Sequence, residues 1–167
     1  MANTFEELLE LLLKNKVKFI VVGGLAVAMN GIVRTTDDLD ILVDDSLENI
    51  TLLLQTLKAF GEGHAAELSL HDFNDEEGAV RIIEAFPLDI FVRMQGLKYH
   101  DMLSMISEYI MPYGLAVPFL HAKGLIQLKT GSMGEKDQFD VISLKELLSK
   151  GPFNREVQHV KKNREAT

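Results

Sequence analysis

Apolar residues recur every three or four positions at the start of the chain. Leu8, Leu11 and Leu12 share one stripe, and Glu6, Glu7 and Glu10 interrupt it. The pattern predicts an amphipathic helix over 4–15, with Asn3 or Thr4 as its N-cap. It then shortens: VKFIVV, 17–22, is a β-branched run that predicts a strand, Gly23-Gly24 a tight turn, and LAVAMN a short helix ahead of Gly31. LDILV, 39–43, entered through the polar RTTDD segment, predicts a second strand. SLENITLLLQTLKAF predicts a long helix capped by Ser46 and stopped before Gly61.

Residues 61–77 are polar and lack a clear period, whereas AVRIIEAF and LDIFVR, joined at Pro87, predict a hairpin. Between Gly96 and Pro118 the pattern is mixed. DMLSMISEYI has helical character, and YIMPYGLAVP suggests short extended pieces around two prolines. FLHAKGLIQLKTG and EKDQFDVISLKELLSKG predict two helices, each ended by glycine, so the chain closes with helices from about 119. The charged sequence NREVQHVKKNREAT follows as a tail from about 152. No repeat or change of composition divides residues 1–167, which read as one α/β domain.

Composition narrows the function. A formal net charge of -8 over 167 residues argues against a protein that coats nucleic acid through phosphate neutralisation, though a local basic groove remains compatible. With no cysteine, only oxygen and imidazole remain as metal ligands. The longest uncharged stretch, 19–33, is shorter than the ~20 residues of a membrane helix and contains three glycines. A cytoplasmic protein with no membrane partner is expected.

Two acids stand out. Asp38 and Asp40 flank Leu39 at the entry to a strand, and side chains two apart on a strand share a face. Leu39, Ile41 and Val43 would then pack on the other face, leaving the acidic face open. Two like charges so placed call for a compensating cation, and Mg²⁺ takes one or two carboxylates while completing its shell with water and phosphate oxygens. An acid bathed in water is the plainer reading of D-x-D alone. The LDI triplet recurs at 88–90, however, and Asp89 would join the pair if the two strands are neighbours, giving the three acids of a two-metal clamp. Gly23-Gly24 ends a strand where backbone amides could face an anion, although neither the dinucleotide nor the Walker glycine pattern is present.

In combination, VVGGLAVAMNGIVRTTDDLDILV resembles the core motif of the polymerase β-like nucleotidyltransferases, in particular small AbiEii-like and minimal members, many of which belong to toxin-antitoxin or phage-defence pairs. Gly23, Gly24, Gly31, Arg34, Thr36, Asp38 and Asp40 carry the match. LIQLKTGSMGEKDQFDVISL resembles a C-terminal helical motif of the same proteins, with Lys129, Lys136, Asp137 and Asp140 at matching positions; Asn30 stands where many relatives have His. The resemblance implies a nucleotidyltransferase fold, a small mixed β-sheet flanked by helices. It implies that Asp38, Asp40 and Asp89 are catalytic, that Asp38 and Asp40 hold Mg²⁺ or Mn²⁺, and that Asp89, the third acid, binds metal or activates the acceptor hydroxyl. Gly23, Gly24, Arg34, Thr36, Lys129 and Lys136 would contact the NTP. Asp37, beside Asp38, leaves open which of the two ligates metal. Arg34 could instead neutralise Asp37, and either lysine could be a solvated surface group. The five histidines show no ligand spacing, and Met94, Met102, Met105 and Met111 read as core filling.

The activity so implied is transfer of a nucleoside monophosphate to an acceptor hydroxyl on RNA, protein or a small molecule, with a cognate toxin-antitoxin partner as one setting. The rival readings are a catalytically silent nucleotide- or protein-binding module of the same fold and a metal-dependent phosphohydrolase.

Overall fold

A computed structural model describes residues 4–130 and 134–150. The charged tail from 152 and Asn3 lie outside them. The first helix, α1 (Phe5–Lys14), is opened by Thr4, whose hydroxyl accepts from the Glu7 amide while the Glu7 carboxylate accepts from the Thr4 amide. Such a reciprocal cap contributes about 1 kcal/mol.

Six strands form one mixed sheet: β1 (Phe19–Val22), β2 (Leu39–Val43), β3 (Ala79–Ile83), β4 (Pro87–Phe91), β5 (Ile106–Ile110) and β6 (Ala116–Leu120), in the order β3-β4-β2-β1-β6-β5. β2 runs antiparallel to β1 and parallel to β4, which returns antiparallel to β3 as the expected hairpin. β1 and β6 are parallel. The central strands are buried on both faces; Phe19, Ile20, Val21, Val22, Leu39, Ile41 and Leu42 are all at or near zero exposure. α1 and α3 (Leu47–Lys58) add Leu8, Leu12, Leu53 and Leu57 to the same core. Phe5 packs edge-on and Phe60 tilted against Phe86 where those helices meet the β3–β4 connection. Ser46 caps α3 by accepting from the Asn49 amide, as expected.

Three expectations are corrected. Gly23-Gly24 forms no separate turn: α2 (Gly23–Met29) begins on Gly23 itself, directly after β1. The segment that reads as helix around 101–110 divides. A short helix, α4 (Tyr99–Met102), leads into β5, whose ISEYI sequence pairs with β6 along its whole length and gains its order from that pairing. Lastly, Phe119 and Leu120 belong to β6, where both are buried, and α5 (Ala122–Lys129) starts only after His121, whose ring accepts from the Lys123 amide. The last helix is α6 (Glu135–Ser149), packed on α5. Met102 and Met111 are buried and Met94 and Met105 partly so, in keeping with core filling. Among the described residues no helix is long and apolar enough to cross a membrane.

Candidate active site

Strand register assembles the site. Asp40 on β2 stands opposite Asp89 on the parallel neighbour β4, and Asp89 stands opposite Arg81 on β3. Residues directly opposite in a sheet project from the same face, so one row of side chains, Arg81-Asp89-Asp40, crosses three strands. Asp38, two residues before Asp40, joins it. Leu39, Ile41, Leu88 and Ile90 take the other face and are buried. The expected open acidic face is open only near this row, for Leu42, next on the same face, is fully buried. Toward β3 the face opens, with Ala79, Arg81 and Ile83 exposed.

Arg81 was not singled out in the sequence, and it holds the acids together. Its Nε donates to Asp89 Oδ1 at 2.7 Å and its Nη2 to Asp89 Oδ2 at 2.8 Å, a two-pronged bond. Nη2 also reaches Asp38 Oδ2 at 3.2 Å. The only signal in the sequence was an Arg inside an otherwise apolar strand; its partner depends on a register that no local pattern contains. Asp37, by contrast, is exposed, while Asp38 faces the row, so Asp38 is the first acid of the cluster.

Asp40 pays electrostatically for its position. Its carboxyl is pushed from 3.8 up to about 7, first by burial, then by the Asp89 carboxylate beside it and a shared hydrogen bond, then by Asp38, while Lys129 pulls the other way. It also leans against Gly23. A Cβ on Gly23 would lie 2.0 Å from Asp40 Oδ2, and Gly23 has φ of +64°, so glycine is required there on both counts.

The next layer gathers the cations. A Cβ on Gly24 would lie 2.1 Å from Arg34 Nη1 and 3.0 Å from Thr36 Oγ1, so the Arg34 guanidinium lies over the start of α2. Arg34 pairs with Asp140, not Asp37: its Nε is 2.8 Å from Asp140 Oδ1. Lys129 at the end of α5 bonds Asp137 at 2.7 Å and lies 3.2 Å from Asp140 Oδ2. Asp140 is thus a buried carboxylate shared by two cations. Its Oδ2 makes no well-aligned hydrogen bond, so Lys129 compensates it by charge rather than by a directed N–H. Lys136 is exposed on the first turn of α6, and among the described residues no ion pair joins it to the cluster. Three of the described histidines lie elsewhere: His64 bonds the Ile83 carbonyl, His100 pairs with Asp44, and His121 caps α5.

A cleft of about 550 Å³ opens beside Asp40 and Gly23. Leu125, Leu128, Lys129 and Asp137 line one wall, and Glu77, Gly78, Phe91 and Arg93 the other. Arg93 is anchored there by three bonds to Asp75, at 2.7, 2.8 and 3.1 Å, and the Glu77 carboxylate accepts from the Gln95 and Gly96 amides.

The donor chemistry fits a hard divalent cation: three carboxylates on one face, one pushed toward protonation by burial and by its acidic neighbours, against a backbone bare of side chain at Gly23. Among the described residues no three acidic or imidazole groups already converge as a metal cage. The Arg81 guanidinium stands between Asp38 and Asp89 instead.

No protein-family model matches the sequence, and comparison with curated proteins finds no match. Solved structures do match. The lincosamide antibiotic adenylyltransferase LnuA, in its lincomycin-bound form, superposes with a TM-score of 0.58 over 88% of this chain and 99% of that one, at 20% identity. A proposed nucleotidyltransferase of Thermotoga maritima, TM1012, superposes with a TM-score of 0.52 over 87% and 91% of the two chains, at 16% identity. The chain has the nucleotidyltransferase fold. Within that fold, Asp40 and Gly23 meet at the cleft, with Lys129 on its wall and Arg34 over the start of α2.

Proposed function

We propose that the protein transfers a nucleoside monophosphate from an NTP to an acceptor hydroxyl, releasing pyrophosphate. The observation that carries this reading is the pairing of Asp40 with Asp89 across parallel strands, with Asp38 on the same face and glycine at 23 leaving room for the Asp40 carboxylate. Asp38 and Asp40 would hold Mg²⁺ or Mn²⁺, with Asp89 as third ligand. A bound divalent ion supplies charge neutralisation of the triphosphate and of the pyrophosphate leaving group.

The residues do the rest. Gly23 makes room for Asp40 and Gly24 for Arg34, so both glycines bring charged groups to the start of α2, where the triphosphate would bind. Arg34 and Lys129, both steadied by Asp140, offer N–H donors to its oxygens. Thr36 is tied to the Asp38 carbonyl at 3.0 Å and stiffens the approach to β2. Lys136 joins the nucleotide set only by way of the sequence motif. In the step itself the acceptor oxygen bonds to the α-phosphorus, the bond to the β-phosphate bridging oxygen breaks, and the acceptor proton passes to the Asp89 carboxylate, held in place by Arg81.

The two sequence blocks support an AbiEii-like placement and a toxin-antitoxin or defence setting; the acceptor class remains to be assigned among RNA, protein and small molecule. LnuA is an adenylyltransferase described with lincomycin bound, which makes a small-molecule hydroxyl a class to include. The test is incubation with each α-³²P-labelled NTP and Mg²⁺, offering a cell lysate, purified tRNA and a small-molecule hydroxyl panel. A labelled acceptor that disappears with Asp40→Asn is the expected result. No label on any acceptor with all four NTPs would leave the silent-module reading standing.

A further inference from the structure

The acid row is bridged by a cation of the protein's own, and this sets a condition on anything else that binds there. Arg81 spends Nε and Nη2 on the two oxygens of Asp89, at 2.7 and 2.8 Å, and lends Nη2 to Asp38 Oδ2 at a longer 3.2 Å. The two bonds differ in surroundings as well as length. The Asp89 side chain is 10% exposed, whereas the Asp38 side chain is 41% exposed and the Arg81 side chain 51%. The Asp89 fork is therefore short, doubly bonded and shielded on its acceptor side. The Asp38 contact is single, longer and open to water, so it breaks at far lower cost.

We infer that Arg81 has two separable roles: its charge is a resident counter-ion that a divalent cation must displace from Asp38, and its fork is the device that orients Asp89. The displacement rests on the proposed role of Asp38 as a metal ligand, and the purpose of the orientation rests on the transferase reading. A guanidinium N–H and a metal ion need the same carboxylate lone pairs on Asp38, and both are positive, so each weakens the other. When the cation arrives, Nη2 gives up Asp38 and keeps Asp89. Asp89 then stays fixed, with its remaining lone pairs directed away from the fork, toward Asp40. Arg81 reaches this position because β3 is in register with Arg81 opposite Asp89; a slip by one residue would present Val80 or Ile82, which belong to the other face. Arg81 is accordingly a positioning residue, acting through Asp89 and Asp38.

Charge and fork can be told apart by substitution. Arg81→Gln removes both, and Arg81→Lys keeps the charge while losing the planar fork. Mn²⁺ is titrated into nucleotide-free protein, the free ion being read by its paramagnetic resonance signal. Arg81→Gln is expected to bind Mn²⁺ about tenfold more tightly than wild type, the scale of removing one nearby positive charge in a partly solvated site. Arg81→Lys is expected to stay within about twofold of wild type. Equal or weaker binding by Arg81→Gln would overturn the counter-ion role. Because a variant can fail to fold, the wild-type protein supplies a second reading: with ¹⁵N-labelled arginine and added Mg²⁺, the Arg81 Nη signals should shift while its Nε–H remains slow to exchange with solvent. Loss of Nε–H protection on adding Mg²⁺ would overturn the retained fork. If Mn²⁺ tightens as expected but wild type labels no acceptor, the Arg81 inference stands and the transferase reading falls. If the acceptor is labelled and Arg81→Gln binds Mn²⁺ no better than wild type, the reverse holds.

Discussion

At the scale of single residues, the acids differ in what each contributes. Asp89 lies in the shielded fork of Arg81, so replacing it by Asn keeps the shape while removing a metal ligand or proton acceptor. Asp89→Asn is expected to slow transfer by about 10²-fold or more, with NTP binding much less affected because Gly23, Gly24, Asp38 and Asp40 remain. A labelling time course together with a nucleotide titration checks both halves; equal transfer rates would make Asp89 a structural acid. Asp40 adds a dependence on pH. Its folded pKa, raised from 3.8 to about 7, means that the folded state binds a proton that the unfolded chain has already released. Stability from this group is therefore complete below about pH 4, falls as pH rises toward 7, and levels above it. In metal-free protein the melting temperature of wild type relative to Asp40→Asn should decline over that window, as calorimetry at several pH values would record. A difference that does not vary with pH would mean that Asp40 is ionised without penalty.

At the scale of elements, the C-terminal helices belong to the site as much as to the core. α5 brings Lys129 and α6 brings Asp140, and the loop before β2 brings Arg34, so one buried carboxylate ties the last two helices to a segment 106 positions earlier. Removing it leaves two cations facing each other with 19% and 12% of their side chains exposed. Asp140→Asn is expected to cost about 2–4 kcal/mol in urea unfolding, near the range for breaking a buried pair, and to weaken NTP binding because Arg34 loses its support. A variant as stable as wild type would show that α6 is held by its apolar contacts alone. Asn30 joins elements by neutral bonds instead. Its amide donates to the Ala26 and Leu120 carbonyls and accepts from the Ala122 amide, fixing the end of α2 against the start of α5.

For the whole molecule, the cleft between the sheet and α5–α6 gives a ligand two surfaces at once, so binding should stabilise the native state by mass action. Mg²⁺ or Mn²⁺ with the preferred NTP, at about 100 times its dissociation constant, is expected to add about 2.7 kcal/mol, read as a rise in melting temperature. Asp40→Asn should lose most of that rise; an undiminished rise would move the metal site away from the acid row. The acidic balance of the chain, a net -8, also bears on the acceptor. A polyanionic acceptor would find Arg93 already paired with Asp75, and Lys129 with Asp137 and Asp140.

Local pattern alone determined much of this protein. A β-branched run before two glycines, an acid pair at a strand entry and a third acid between Leu88 and Ile90 each express a local preference, and β1, β2, β4 and the three acids were legible for that reason. Thr4 and Ser46 announced their helices in the same way, since a cap satisfies backbone amides within three residues. What the sequence left open depended on pairing between distant segments. ISEYI becomes a strand because β6 is there to pair with it, and Phe119 and Leu120 join the sheet instead of starting a helix because the sheet buries them. Arg34 turns to Asp140 across 106 positions, not to Asp37 three residues away. Arg81 meets Asp89 only because a hairpin closes in one register. Charge partners are chosen by where the folded backbone places them, and a side chain's nearest neighbour in sequence carries no information about that.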